Sequence, residues 1–285
     1  MHLQHFYGIW LLLFICALPG AAQVVSPTNQ EAQTIRIALV SDTHTTRGTA
    51  EDQPLYKGRF DKVIEAVNAA NVSLVLIAGD LTQGGHDEEI ADFKDQIKKL
   101  HAPILYVPGN HDVGDKILPT KPGGVTAKRV EHYETLLGAA FFEKEQAGVR
   151  VVGLTASLLG SGLPREAEQW TFLEKALAKP AKLPTLLLMH YPLFLKTPDE
   201  PSDPYWNVEP QPRARLLALL QSGGVRAVLS GHLHRPLINH YNGILLASSP
   251  PVSFGLPRGK QPQGWTLITV SPQQEVNAEF QYIAD

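Results

Sequence analysis

Short apolar runs that stop abruptly at polar residues recur along this chain, separated by segments whose apolar residues return every three or four positions. Ile35, Ile37, Ala38, Leu39 and Val40 form the first run, which stops at Ser41, Asp42, Thr43, His44. Leu74 to Ala78 stops at Gly79, Asp80, and Pro103 to Val107 leads to Gly109, Asn110, His111, Asp112. Continuous runs of this length predict strands buried on both faces. Between them, Phe60, Val63, Ile64 and Val67, then Ile90, Phe93, Ile97 and Leu100, fall at helical spacing. Strand, helix, strand, helix, strand is the order of parallel α/β packing, whose sites lie at the carboxyl ends of the strands.

The second half is less regular. Val130, Tyr133, Leu136 and Leu137 predict a helix, and two extended runs from Phe141 to Ser157, flanking Ala147 and Gly148, predict an antiparallel hairpin. Trp170, Leu173 and Leu177 predict another helix, with Pro180 beyond its end. Leu186 to Met189 reads as a strand stopping at His190. The segment Lys196 to Pro212 carries prolines at 198, 201, 204, 210 and 212 and holds Tyr205 and Trp206 in its middle. It is predicted as a loop, long enough to imply a role. Leu216 to Leu220 reads as a helix closed by Gly223 and Gly224, and Val225 to Leu229 as a strand ending in Ser230, Gly231, His232, Leu233, His234. Ile244 to Ala247 and Trp265 to Val270 predict further strands, the last paired with Glu275 to Ile283. With no internal repeat and no break in composition, residues 35–285 are predicted to form one domain.

Composition narrows the class. The chain has 285 residues, 44% of them hydrophobic, which suffices for a sizeable core. Lys plus Arg number 25 against 28 Asp plus Glu, so no basic surface points to nucleic acid or to an anionic membrane. No heptad or large apolar face argues for an oligomer. The first 22 residues lack Lys, Arg, Asp and Glu, and the apolar block Ile9 to Leu18 leads to Pro19, Gly20, Ala21, Ala22. This predicts a signal peptide over residues 1–22, cleaved after Ala22, followed by a polar leader over 23–34 and an exported (periplasmic or secreted) protein. The block is shorter than the roughly 20 apolar residues a membrane span needs, so no stable span is expected after cleavage. The single cysteine, Cys16, lies inside the block, and the mature chain would carry no thiol.

The polar residues beyond the apolar runs then acquire a chemistry. Asp42 and His44, Asp80, Asn110 and His111, His190, and His232 with His234 are carboxylate, imidazole and amide donors. Two ions that activate water are held by such donors about 3.5 to 4 Å apart. Asp-x-His and His-x-His put both side chains within reach of one site on extended backbone, where residues i and i+2 share a face. Read singly, each has a plainer role: His190 as a packed histidine, Asp80 as a turn or helix cap, His232 and His234 as surface residues. Asp112 reads equally as a partner orienting His111 or a metal imidazole, and as a cap for the next turn. His86, His101, His132 and His240 fit no such group and are expected to be solvated or packed.

Taken in order, Asp42-x-His44, Gly79-Asp80, Gly109-Asn110-His111-Asp112, His190 and Gly231-His232-x-His234 resemble the calcineurin-like metallophosphoesterase superfamily over about residues 35 to 250. The resemblance implies an α/β fold of two mixed β-sheets packed face to face, with flanking helices, around a dinuclear metal centre. It implies that Asp42, His44 and His234 hold one ion, that Asn110, His190 and His232 hold the other, and that Asp80 bridges them. His111 falls outside the ligand set and is implied to contact the phosphate and to protonate, or electrostatically help, the departing oxygen. A metal-bound hydroxide is implied to attack phosphorus in line. Gly109 is expected to keep the backbone slim for the approaching substrate phosphate. Oxygen and imidazole ligands without sulfur suit Mn, Fe, Zn or Co.

The substrate is less constrained. His44 departs from the purple acid phosphatases, and Asp112 from the calcineurin-type protein phosphatases, which carry Glu there. The Asn-His-Asp form looks like the bacterial class III phosphodiesterases, whereas His190-Tyr191-Pro192-Leu193-Phe194 and the Pro-rich loop after it resemble small phosphoesterases acting on phosphoprotein. A small-molecule or phosphoprotein phosphoester, monoester or diester, is expected. The competing class is a phosphoester-binding module or scaffold, which would be marked by a lost motif position, and none is lost. Tyr205 and Trp206 are candidates for stacking on substrate or for packing the loop. Arg258 and Lys260 are candidates for meeting an anionic group, with surface solvation the plainer reading of both.

Overall fold

Each apolar run feeds one of two sheets in the computed structural model, which describes residues 33–48, 51–118 and 123–284 together with residues 1, 2 and 8. The predicted signal segment and the leader as far as Ala32 lie outside the described residues, apart from those three positions. In chain order the strands are β1 (Ile35–Val40), β2 (Leu74–Ala78), β3 (Ile104–Val107), β4 (Phe142–Gln146), β5 (Val149–Gly153), β6 (Thr185–Leu188), β7 (Val225–Ser230), β8 (Leu237–Tyr241), β9 (Ile244–Ser248), β10 (Gly264–Val270) and β11 (Val276–Tyr282). The helices are α1 (Asp52–Ala69), α2 (Asp87–Ile97), α3 (Asn110–Val113), α4 (Ala127–Leu137), α5 (Pro164–Ala176) and α6 (Pro210–Ser222). Among the described residues no helix is long and apolar enough to cross a membrane.

One sheet has the order β11-β10-β1-β2-β3, the other β4-β5-β6-β7-β9-β8. Both are mixed: β1, β2 and β3 run parallel with β10 and β11 antiparallel beside β1, and β5, β6, β7 and β9 run parallel between antiparallel edges. The continuous apolar runs follow from burial on both faces. Ile37, Leu39, Leu74, Leu76 and Ala78 meet Val149, Val151, Leu186, Leu188, Ala227 and Leu229 between the sheets. The alternate residues, Ala38, Val40, Val75 and Ile77, face outward onto α1 and α2 through Phe60, Val63, Ile64 and Phe93. The second sheet is covered in the same way by Trp170 and Leu173 of α5 and Leu216 and Leu220 of α6. This packing directs the carboxyl ends of the parallel strands to a common rim.

Local structure departs from the simple strand-and-loop pattern at four places. The Asn110 motif opens a single helical turn, α3, instead of continuing as loop. The run after the Ala147-Gly148 turn leaves the sheet at Gly153 and becomes a 3-10 turn over Ala156–Leu158. The long loop ends at Glu209, because Pro210 occupies the first turn of α6, where a missing N–H costs nothing. Strand β8, Leu-Ile-Asn-His-Tyr, has no clear apolar run, since it is a half-exposed edge. The hairpin itself is as predicted, with Ala147 at φ 50° and Gly148 at φ 82°, the left-handed pair of a tight two-residue turn.

Candidate metal centre

Beyond β1 and β2 the two loops stay in register: the amides of Asp42, His44 and Thr45 donate to the carbonyls of Gly79, Asp80 and Leu81 at 3.1, 3.0 and 3.1 Å. Asp42, His44, Asp80, His232 and His234 all have φ between 46° and 71°. Convergence of the Asp-x-His and His-x-His pairs therefore comes from left-handed kinks, not from the extended backbone expected. Two glycines make room. A Cβ on Gly231 would collide with Ser41 Oγ and Asp42 Oδ2, and one on Gly109 with the carboxylate and amide of Asp80. Gly109 is thus slim for Asp80.

Asp42, His44, Asp80 and His234 form one buried group of potential ligands, and Asp80, His190 and His232 form a second. Each carboxylate has one oxygen tied to the protein and one aimed inward. Asp42 Oδ2 accepts from Ser41 Oγ at 2.5 Å and from the His232 amide at 3.1 Å, while Oδ1 has no hydrogen-bond partner and lies 3.3 Å from His234 Nε2. Asp80 Oδ1 accepts from the His111 amide at 2.9 Å, and Oδ2 lies 3.5 Å from His44 Nε2 and 3.2 Å from His190 Nε2.

The imidazoles follow the same rule. His44 Nδ1 donates to Gln83 Oε1 at 2.9 Å, His190 Nδ1 to the Ala78 carbonyl at 2.7 Å, and His234 Nδ1 to the Phe254 carbonyl at 2.6 Å. His232 uses Nε2, on the Tyr205 carbonyl at 2.9 Å, and so keeps Nδ1 for the cluster. These acceptors fix the tautomers and turn a lone pair inward on each neutral ring, as outer partners of metal-ligating histidines do. The inward atoms then face one another: His44 Nε2 meets His234 Nε2 at 3.1 Å, and His190 Nε2 meets Asn110 Oδ1 at 3.0 Å. Asn110 is held in that pose by Asp115, whose Oδ1 accepts from Nδ2 at 3.0 Å.

A buried set of acceptors facing acceptors is satisfied by cations, and this donor set fits a pair of metal ions sharing Asp80. Burial and the protein's own charges divide the rings, holding His44 and His232 neutral and pushing His190 and His234, beside Asp80 and Asp42, toward the protonated form. Burial lowers His44 to about 4 despite Asp80, and burial with repulsion from His190 lowers His232 to about 3. Burial opposes charge on His190 as well, but the adjoining Asp80 carboxylate overrides it and raises the imidazole to about 9. For Asp42 and Asp80 burial favours the neutral acid, yet the neighbouring histidines hold both below the usual carboxylate range.

Comparison with known proteins agrees with this geometry. Residues 35–236 match the family model described as calcineurin-like phosphoesterase. The chain belongs to the calcineurin-like phosphoesterase family. It is 29% identical over 226 residues to the zebrafish (Danio rerio) serine/threonine-protein phosphatase CPPED1, covering 74% of this chain and 69% of that protein. It is 30% identical over 232 residues to a probable glycerophosphodiester phosphodiesterase, GpdQ, of Arcobacter nitrofigilis, covering 75% of this chain and 78% of that one. Its fold is also that of a dimetal phosphatase from Danio rerio, with a TM-score of 0.57 at 12% identity over 87% of this chain and 99% of that one.

Around the centre, this phosphoesterase places the remaining residues as follows. His111 is half-buried; its Nδ1 donates to the Gln83 carbonyl at 2.8 Å, and its ring packs edge-on against His44 at 4.6 Å between centroids. Asp112 touches neither His111's ring nor a metal imidazole. It accepts from the amides of Leu81, Thr82 and Gly109 and from Thr82 Oγ1, at 2.7 to 3.1 Å, tying the Asp80 loop to the start of α3. Burial, then the Asp80 charge, raises it to about 6. Tyr205 and Trp206 stand over His232, with ring centroids 4.6 and 5.6 Å from it. Burial, then Asp80, raises the Tyr205 phenol to about 12. Arg258 is exposed and stacks on Phe254 at 4.2 Å, and Phe254 packs against His44 and His234. Lys260 is exposed, and His86, His101, His132 and His240 stand outside both ligand groups.

Sequence reasoning missed Gln83, Asp115, Lys116 and Arg129. Gln83 and Asp115 lie three and five residues beyond Asp80 and Asn110, so proximity to a ligand was the available signal. Lys116 is buried, and its Nζ donates to the Asp203 and Asn207 carbonyls and to Glu209 Oε1 at 2.5, 2.6 and 2.7 Å. Asp203 Oδ1 in turn accepts from the amides of Tyr205 and Trp206. The Pro-rich loop is thus a clamped wall of the site.

Proposed function

We propose that this phosphoesterase hydrolyses phosphoesters at two metal ions, with Asp42, His44 and His234 holding one, Asn110, His190 and His232 the other, and Asp80 both. The observation that carries the assignment is Asp80 Oδ2, which lies within 3.5 Å of a ligand nitrogen from each group. Mn, Fe, Zn or Co suits these donors. Such a pair of ions supplies the charge that activates water and neutralises the phosphoryl oxygens.

The chain's own residues do the rest. Asn110 offers a neutral oxygen, oriented by Asp115, so the second ion keeps more of its positive charge than an aspartate would leave. His111 keeps one proton on Nδ1 for the Gln83 carbonyl, and the proton on Nε2 of its imidazolium form is the one passed to the departing oxygen. Its position is fixed from three sides: Asp80 on its amide, Gln83 on its ring and Arg129 Nη2 on its carbonyl at 2.8 Å. Asp112 acts through these loops and not by contact with substrate. Tyr205 sets the His232 tautomer through its carbonyl and offers its ring to the substrate beside Trp206; Arg258 lies on Phe254, beside His44 and His234.

The substrate is a small-molecule or peptide-borne phosphoester. The similarity to a named protein phosphatase and to a named phosphodiesterase supports that range. The charge-free segment with Ala21-Ala22 at its end supports export by a cleaved signal peptide. The deciding experiment is turnover of matched phosphomonoesters and phosphodiesters by metal-reconstituted mature protein. Hydrolysis of either supports the reading, and the faster class names the substrate. Inertness toward both, with two ions bound, would make the protein a phosphoester-binding module.

A further inference from the structure

We propose that Arg129 selects phosphoesters whose leaving group carries a second negatively charged oxygen group, a carboxylate or another phosphate. The inference deepens the hydrolase reading above and rests on it.

Arg129 lies in the first turn of α4, and its backbone is pinned there by Thr126 Oγ1, which accepts from its amide at 3.2 Å. One guanidinium nitrogen, Nη2, donates to the carbonyls of His111 and Gly84 at 2.8 and 3.3 Å. Those bonds fix the group beside the histidine and leave Nε and Nη1 without a protein acceptor among the described residues. No carboxylate among the described residues pairs with it either, whereas Arg47, Arg150, Arg165, Arg213 and Arg215 each have one. A half-buried guanidinium with Nε–H and the Nη1 hydrogens unengaged is a ready partner for an anion, because its fixed positive charge strengthens each single hydrogen bond it can still donate.

Arg129 faces the reaction. With His111, Asn110, Gln83, Asp115 and Tyr205 it lines one open cavity of about 430 Å³, within the size range of small-molecule sites. Asp115, the carboxylate in that lining, is engaged by Asn110. Asn110, proposed as a metal ligand, and His111, proposed to serve the departing oxygen, line the same cavity, so the Arg129 charge falls on the side of the site that His111 serves. The Tyr205 ring supplies an apolar wall for the carbon skeleton between the two charges.

The test uses the metal-loaded protein with two series of ligands. Phenylphosphonate bearing a meta or para carboxylate, phosphonate or neutral carboxamide is measured for affinity by calorimetry, and the corresponding phenyl phosphates for kcat/KM. We expect the charged members to bind about tenfold more tightly than the carboxamide, the effect of one charge-assisted hydrogen bond. In Arg129→Gln that preference falls to about twofold or less, with Arg129→Lys intermediate, while both variants keep two ions by elemental analysis. The carboxylate and phosphonate arms show which anion is preferred. Equal discrimination in wild type and Arg129→Gln, or none in wild type, overturns the assignment. Equal losses for charged and neutral members reduce Arg129 to a prop for His111. A wild type that binds and hydrolyses no member removes the hydrolase reading along with the proposal.

Discussion

His44 Nε2 and His234 Nε2 face each other at 3.1 Å, although each ring has already spent its N–H on an outer carbonyl oxygen. Two lone pairs at that distance repel unless a metal ion or a proton lies between them, and the Asp42 carboxylate 3.3 Å from His234 Nε2 favours the proton where no metal is held. The site is therefore built at the expense of the metal-free fold, and removing metal should be visible in stability. Dialysis against a strong chelator is expected to lower the thermal midpoint by about 5 to 10 °C, from the roughly 2 to 3 kcal/mol of a saturated site. Readdition of Mn or Zn restores it. A midpoint indifferent to chelator, in protein free of metal by elemental analysis, would remove the dinuclear assignment.

Asp80→Asn and Asp42→Asn should differ in kind. Asp80 serves both ligand groups, so its substitution is expected to weaken both ions and lower kcat by about a thousandfold or more. Asp42 serves one, so Asp42→Asn is expected to keep the second ion. Metal stoichiometry by mass spectrometry checks both, and two tightly held ions in Asp80→Asn would refute the shared ligand.

His111→Asn should retain two ions and lose about a hundredfold to ten-thousandfold in rate, the span of a missing general acid. The loss should grow as the leaving group becomes more basic. A series of aryl phosphates of rising phenol pKa measures this slope, and an identical loss across the series would argue that His111 only binds phosphate.

Asp112→Ala strands donors from two loops in a site only 5% exposed. It is expected to cost about 3 kcal/mol, read as a shift in the denaturant midpoint. Its effect on kcat per bound ion should be smaller than that of His111→Asn. The opposite ranking would make Asp112 part of the chemistry.

Lys116→Met leaves the carbonyls of Asp203 and Asn207 without their donor and Glu209 without its partner. The wall carrying Tyr205 and Trp206 should loosen, with faster proteolysis within residues 196–209 and a KM that rises more than kcat falls. Unchanged proteolysis would show that Arg213, which bonds the Glu200 carbonyl, suffices alone.

The candidate ligands were legible as a set, because each has a plainer role alone but the five groups recur together at the ends of buried strands. Asp42, His44, Asp80, Asn110, His190, His232 and His234 all come together as two groups joined by Asp80, with Asn110 brought in through its bond distance to His190. The strands were legible for a related reason: Ile37 and Leu39 face the other sheet while Ala38 and Val40 face helices, so both alternate sets must be apolar. What misled was local geometry. Extended backbone was the natural reading of Asp-x-His, yet the kinks at Asp42 and His44 exist because their amides follow the carbonyls of Gly79 and Asp80 in the neighbouring loop.

By itself, then, the sequence determined which residues are buried, where the strands end and which donors stand at those ends, since side-chain chemistry and period are local properties. Only the tertiary structure decided which nitrogen of each histidine turns into the cluster, that Asp112 braces loops, and that Lys116, Gln83, Asp115 and Arg129 stand around it. Those outcomes depend on carbonyls and side chains far away in the chain: His44 and His234 are separated by 190 positions. No periodicity encodes such a partner, because it is fixed by how two sheets stack and not by the residues on either side.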